Sequence, residues 1–467
     1  MGNETNQPPR GLSLLLVLGP SLIWCAEYIG SGEVILATRT GAILGTGVLW
    51  AVFLGIFLKY WIGLCGARYT VITGEGMVDM FARMPGPRNW LIYLVFTVQF
   101  ICAIASIGAL ASAAAAFANA MIPLGNHAYL WGWIITIFTV SMTWNGKFEI
   151  LKKIMSLLVA VIVLGVVFVA IKTMPPVKEL IEGLFLFKIP EIPEWAVQNN
   201  VIYKSAWSEI LPLIGWAAGG FASQVWYTYW VLGAGYGMAE ARGFGQSADL
   251  DNLAAMTMDK AKSIKGWLRV VNCDATLALV IGAFVTMGFL IAGAGVLGPA
   301  KALVEGNEVA FTLSKLFAGH WGRVGGFLFL LAGTAAMIST QLGQLAGWPR
   351  LLADCFRHIF PKRAEHIPWV RQFRAFLILF LFTNMIIVYT LGYKPVKLVK
   401  MAAMADGLIL TWIQALAVIA GFAYVLPKLL AREIYAELKP SAVYYVGLAV
   451  SAAVFMTFCI FLLPRAF

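Results

Sequence analysis

Long apolar stretches separated by short polar breaks recur along the whole chain. A helical crossing takes about 20 apolar residues to span about 30 Å of hydrocarbon. Runs at 12–42, 44–64, 90–118, 128–144, 149–172, 209–239, 267–295, 322–347, 375–392, 401–426 and 441–463 meet or approach that length. The pattern predicts an all-α membrane protein with about eleven transmembrane helices. No segment shows the alternation over about ten residues that marks a membrane barrel. The stretch 172–207, with Pro175, Pro176, Pro190 and Pro193, reads as an external loop. Nothing between the spans is long enough for a soluble domain, so 1–467 reads as one transmembrane domain.

Composition excludes a water-soluble fold: 60% of residues are hydrophobic and 12% charged, with a mean hydropathy of +0.81. The net charge of +11 reads mainly as a topology signal, since Arg350, Arg357, Lys362, Arg363, Arg371 and Arg374 crowd into one inter-span segment. Such segments face the cytoplasm, which predicts a multi-pass protein of the cell (inner) membrane with its N-terminus inside. Nucleic acid is not an expected partner. The lipid bilayer and a transported cation or small solute are, and no cofactor is expected. Met1 to Arg10 lacks a basic n-region and cleavage site, so the first span reads as a retained anchor. Cys25, Cys65, Cys102, Cys273, Cys355 and Cys459 are scattered without a Cys-x-x-Cys pair and read as mostly buried thiols. His127, His320, His358 and His366 all read as loop residues, leaving no imidazole at mid-membrane depth.

Residues 19–33 laid on residues 211–225 pair Pro20 with Pro212, Trp24 with Trp216, Ala26 with Ala218 and Ser31 with Ser223. Five spans separate the two segments, so repeats built on them are inverted: 12–172 and 209–426, with 441–463 as an additional helix. Gly30-Ser31-Gly32 and Gly219-Gly220-Phe221-Ala222-Ser223-Gln224 are then candidate unwound stretches in helices 1 and 6. Freed carbonyls there need partners other than lipid, and transported substrates or ions supply them in many carriers. Close helix packing through small residues is the competing explanation.

Ionisable residues within the spans are Glu27, Glu33, Arg39, Lys59, Asp274 and Asp406. At an insertion cost of about 2.5–3.5 kcal/mol at a helix centre, each is a functional candidate. Arg39 and Lys59 read as snorkelling residues near helix ends. Glu33 is the principal candidate, because it begins the second half of helix 1, where the positive helix end favours a carboxylate; a helix cap is its simpler role. A break at Gly30 could bring Glu27 to the same cavity, and Glu27 could equally pair with Arg39 or a neutral donor. Gln224, Tyr227 and Thr228 form a polar stripe on helix 6 that offers oxygen ligands or inter-helix hydrogen bonds. Asp274, Asp406, Asn272, Gln341 and Gln344 are secondary candidates for a pathway.

The stretch Gly19-Pro20 through Tyr28-Ile29-Gly30-Ser31-Gly32-Glu33, with Gly41, Leu49-Trp50, Lys59-Tyr60, Thr73-Gly74-Glu75, Phe148-Glu149 and Gly333 through Ser339-Thr340 to Gly347, resembles the NRAMP family of metal-ion transporters. The resemblance implies the LeuT-like fold of inverted five-helix repeats with broken helices 1 and 6. It also implies substrate positions at Gly30, Ser31, Gly32, Glu33, Ala222, Ser223 and Gln224, to which the polar stripe adds Tyr227. The family's Asp-Pro-Gly-Asn stands here as Gly30, Ser31, Gly32 and Glu33, and its Met-Pro-His as Ala222, Ser223 and Gln224. The missing aspartate and thioether remove ligands for transition metals. The family's acidic residues on helix 3 have no counterpart from Leu91 to Ala120.

The expectation is alternating-access transport of a cation bound by Glu33, Gln224 and freed carbonyls. A divalent metal is favoured, with Mg²⁺ ahead of Mn²⁺ for hard oxygen ligands. Glu27, Asp274 and Asp406 are expected on the pathway or in coupling. The alternatives are a carrier of a small organic solute, given room by the small residues Gly30 and Ala222, and a sensor or scaffold that does not transport. No catalytic constellation points to an enzyme.

Overall fold

The computed structural model describes residues 7–9, 11–30, 32–124, 127–145, 147–198, 205–303, 309–390 and 395–466. Ser31 lies outside the described residues. Eleven segments run through the bundle. The first is split into α1a (Pro20–Tyr28) and α1b (32–44). There follow α2 (Leu49–Thr73), α3 (Trp90–Met121), α4 (Ala128–Thr143) and α5 (Phe148–Thr173). The sixth is again split, into α6a (Trp207–Trp216) and α6b (Phe221–Ala234). Next come α7 (Met258–Ala292, continued by a π turn to Leu297), α8 (Gly322–Ile359), α9 (Trp369–Thr390), α10 (395–429) and α11 (Ala442–Ala466). Among the described residues, eight helices are long and apolar enough to cross a membrane. One of them, 32–73, carries both α1b and α2 around a bend at Gly45. The shorter α4 and the two halves of α6 complete the bundle.

The outer surface is lipid-like. Along α5, Leu157, Leu164 and Ile171 are 66%, 71% and 67% exposed at every seventh position. A stripe of that kind facing water would be an aggregation surface, whereas facing lipid it costs nothing. The polar residues turn inward: Glu27, Glu33, Lys59, Asp274 and Asp406 are all buried.

Several sequence expectations need correction. Helix 2 runs from Leu49 to Thr73 rather than 44–64, because Gly45 turns with φ 68° and two apolar turns continue past Cys65. The 172–207 region is not a plain loop; it holds short helices at Val177–Phe185 and Glu194–Gln198. His320 and His358 lie on helical backbone. Cys273 is exposed and Cys459 half-buried, while the other four thiols are buried.

Candidate functional site

Both breaks arise where a helix end meets a side chain able to satisfy it. Helix 1 stops after Tyr28, and the Ile29 carbonyl accepts a hydrogen bond from Thr340 Oγ1 of α8 at 3.1 Å. A Cβ on Gly30 would lie 2.2 Å from that same Oγ1, so only glycine fits beneath the threonine. Helix 6 unwinds at 217–220, where Ala218 and Gly219 take φ of 60° and 68°. Gly220 is forced by contact: a Cβ there would sit 1.8 Å from Asp406 Oδ2. The helix 6 break therefore shares Gly219 and Gly220 with the expected stretch and ends before its other residues. Ala222, Ser223 and Gln224 form the first turn of α6b.

Four half-helix ends carry a charge of the sign that the helix dipole favours. At the start of α1a, Asp274 of α7 accepts from the Gly19 and Ser21 amides at 3.2 and 2.9 Å and from Ser21 Oγ at 2.8 Å. Its fourth donor is Tyr227 OH at 2.8 Å. Glu33 folds back to accept from the Gly30 amide at 2.9 Å, which makes it the cap of α1b. At the start of α6b, Asp406 of α10 accepts from the Ala222 amide at 3.4 Å and from Gln99 Nε2 of α3 at 2.6 Å. At the end of α6a the partner is a cation. Lys59 Nζ of α2 donates to the carbonyls of Ile214, Gly215, Ala217 and Gly219 at 3.1, 2.5, 3.0 and 2.6 Å.

Lys59 is thus not a snorkelling residue. It is fully buried and its ammonium fills the unwound stretch. Gln224 Nε2 donates to the Ala218 and Gly220 carbonyls at 2.9 and 3.3 Å, so protein groups satisfy most carbonyls of the break.

Between the breaks lies an enclosed cavity of ≈ 10 Å³, room for about one water-sized particle. Glu27 and Asp406 line it together with Ser223, Gln344 and the backbone of Gly219 and Gly220, under the rings of Tyr28, Trp216, Trp226 and Trp348. Ser223 Oγ donates to Glu27 Oε2 at 2.9 Å and accepts from Trp24 Nε1 at 3.0 Å. Glu27 is within Coulombic reach of Asp406 and of Glu33.

The structure brings Glu27, Ser223 and Asp406 to one cavity and leaves others outside its lining. Glu33, Gln224 and Ala222 stand at adjacent helix ends, and Tyr227 is stacked on Trp24 with its hydroxyl turned to Asp274. Thr228 Oγ1 bonds the Val225 carbonyl at 2.6 Å. Gly30 does not enlarge the cavity, because the Thr340 side chain packs over it. Sequence reasoning missed Gln99, which holds Asp406 and accepts from Trp348 Nε1 at 2.7 Å. Its signal was available, as a long polar side chain inside the apolar run of α3, but only acidic residues were sought there. Among the described residues no three His, Cys, Asp or Glu side chains converge as a metal-ligand set.

Ionic contacts join helices at two ends of the bundle. At one end, buried Glu209 of α6a pairs with Arg39 of α1b at 3.1 Å and Lys400 of α10 at 2.7 Å. At the other, Glu75 accepts from Tyr69, Arg83 and the Ala248 amide, and Asp79 Oδ1 accepts from Ser247 and Arg357 and bonds His358 Nε2. Burial alone would raise the Asp79 carboxyl, but the His358 hydrogen bond and the Arg357 charge outweigh it and hold it at about 2. Its folded value lies below its unfolded one, so its stabilising effect is complete above about pH 4 and is lost as pH falls towards 2. Asp79→Asn should lower the melting temperature at neutral pH and abolish the part of the acid-induced decline below about pH 4 that this carboxylate carries. Thermal melts of both proteins across that range check it.

Comparison with known proteins extends this geometry. A family model described as natural resistance-associated macrophage protein-like, Nramp, matches residues 21–200. An uncharacterized protein of Pasteurella multocida is 23% identical over 146 residues, which span 31% of this chain and about a third, 33%, of that relative. A crystal structure of the Eremococcus coleocola manganese transporter covers 100% of this chain and 99% of its own at 15% identity and a TM-score of 0.54. Mhp1, a nucleobase-cation-symport-1 family transporter with bound bromovinylhydantoin, gives 16% identity and a TM-score of 0.55 over 100% of this chain and 92% of its own. MhsT with L-phenylalanine gives 12% and 0.54 over 99% of this chain and 100% of its own. At these identities the solved structures establish the fold, shared by carriers of dissimilar substrates. Taken with the paired breaks in α1 and α6, they give this chain the LeuT-like fold, and the match at 21–200 makes that part of it similar to the Nramp family.

Proposed function

We propose that the chain moves a divalent cation by alternating access, with Glu27 and Asp406 as the anionic ligands at the centre of the route. The observation that carries this reading is the charge around the two breaks: three buried carboxylates, Glu27, Glu33 and Asp406, against the single ammonium of Lys59. A dehydrated cluster of that composition calls for a positive ligand or for protons, since an unpaired buried charge costs several kcal/mol. The cation class agrees with the metal named for the Eremococcus coleocola transporter and with the family matched at 21–200.

Within that class the donors favour Mg²⁺ over Mn²⁺. The cavity is lined by carboxylate, hydroxyl, amide and carbonyl oxygens, without thioether, thiol or imidazole. Its volume suits one small ion and gives a small organic solute no room. The clustering of Arg350, Arg357, Lys362 and Arg363 supports an N-terminus on the cytoplasmic side of the cell (inner) membrane.

Calorimetry on the purified protein tests the reading. Mg²⁺ should bind and displace Mn²⁺, and Cd²⁺ should bind weakly. Tight Cd²⁺ binding that Mg²⁺ cannot compete away, and that persists in Glu27→Gln, would place the metal elsewhere.

A further inference from the structure

The four carbonyls around Lys59 Nζ form a cage at the negative end of α6a, where oxygen dipoles converge on a cation. The Lys59 side chain is fully buried, and its ammonium also lies 5.7 Å from the centre of the Phe455 ring of α11. An ammonium has three N–H donors, so four acceptors at these distances share them. A lysine buried only for packing would gain nothing from such an arrangement, because taking its charge out of water costs several kcal/mol that acceptors alone can offset. Two of the carbonyls, Ile214 and Gly215, belong to α6a, and two, Ala217 and Gly219, to the unwound stretch. The cation therefore ties α2 to the end of α6a and to the unwound stretch that follows it.

We infer that these carbonyls are a monovalent-cation site which the chain fills with its own ammonium, and that removing the side chain turns it into a site for a free ammonium-type ion. The consequence for transport rests on the reading above: the wild type needs no free monovalent cation at the hinge. The site itself does not rest on that reading. Its oxygen distances suit an ammonium or the similarly sized K⁺ better than the smaller Na⁺. Cutting lysine back to alanine removes a fragment equivalent to propylammonium, which makes that ion the matched probe.

The test compares melting temperatures of detergent-purified wild type and Lys59→Ala in tetramethylammonium, propylammonium, ammonium and potassium chlorides at equal ionic strength. Lys59→Ala should melt well below wild type in tetramethylammonium chloride, which offers no N–H donor and is too bulky for the cage. Propylammonium should restore several degrees with saturable dependence on concentration, as expected for an ion that binds the native state. Wild type should respond equally to all four salts. The inference is overturned if no salt separates from tetramethylammonium in Lys59→Ala, or if propylammonium raises wild type by the same amount. Should Lys59→Ala not fold in tetramethylammonium chloride, Lys59→Val keeps the first carbons of the stem and leaves the ammonium position open. Ammonium or potassium present from extraction onward should then raise its monodisperse yield, and equal yields in all salts count against the site. None of these readouts needs flux, so an inactive transporter and an empty cage are told apart.

Discussion

Glu27→Gln and Asp406→Asn should each nearly abolish cation flux in proteoliposomes while leaving monodisperse protein. Both carboxylates line the central cavity, which has room for about one water-sized particle. Withdrawing one partner of a desolvated charge contact costs about 2–5 kcal/mol, which is roughly 30-fold to several thousand-fold in affinity. The amide replacements keep shape, and Asn at 406 still offers Gln99 an oxygen. Glu33→Gln should do less, because its carboxylate is spent on the Gly30 amide; loss of a cap of this kind costs about 0.5–2 kcal/mol. This ranking inverts what position on helix 1 suggests. Wild-type flux in Glu27→Gln and Asp406→Asn together would remove the cavity from the transport route.

Gly30→Asp, the change that restores the Nramp aspartate, should be strongly destabilising by itself and should create no transition-metal site. The new Cβ would lie 2.2 Å from Thr340 Oγ1, 2.7 Å from its Cβ and 2.9 Å from its Cγ2. Overpacking of a tight core costs about 1–3 kcal/mol, and a further unpaired carboxylate adds to it. Thr340→Ala would not relieve the clash, since the Cβ at 2.7 Å remains. Thr340→Gly would. The combination Gly30→Asp, Thr340→Gly and Ala222→Met should therefore recover a stable protein with Cd²⁺ affinity above wild type, the aspartate supplying an anionic oxygen and the methionine a soft sulfur. Melting temperatures and Cd²⁺ calorimetry check both parts. A well-folded Gly30→Asp single variant would show that α8 yields more easily than its packing implies.

How far the site was legible follows from where its determinants lie. Glu27 and Asp406 announced themselves as charges in apolar runs, but nothing local placed them on one cavity, since 379 positions separate them. Asp274 drew attention for the same reason, yet its role as a cap for α1a depends on Gly19 and Ser21 arriving beside α7. The glycine-interrupted stretch put the helix 6 break at Gly219 to Gln224. The backbone breaks earlier, at 217–220, because that is where Lys59 and Gln224 can satisfy the opened carbonyls.

Sequence by itself determined the membrane environment, the number of crossings and the presence of two glycine-interrupted helices in inverted halves. Those features rest on the length and spacing of apolar runs, which each segment carries locally. Tertiary structure decided who occupies the breaks. The ammonium on the α6a carbonyls comes from α2, the carboxylate at the start of α6b from α10, and the threonine that closes the aspartate position from α8. Unwound backbone in lipid must find partners, and which distant side chain arrives first is set by helix packing that local pattern does not encode.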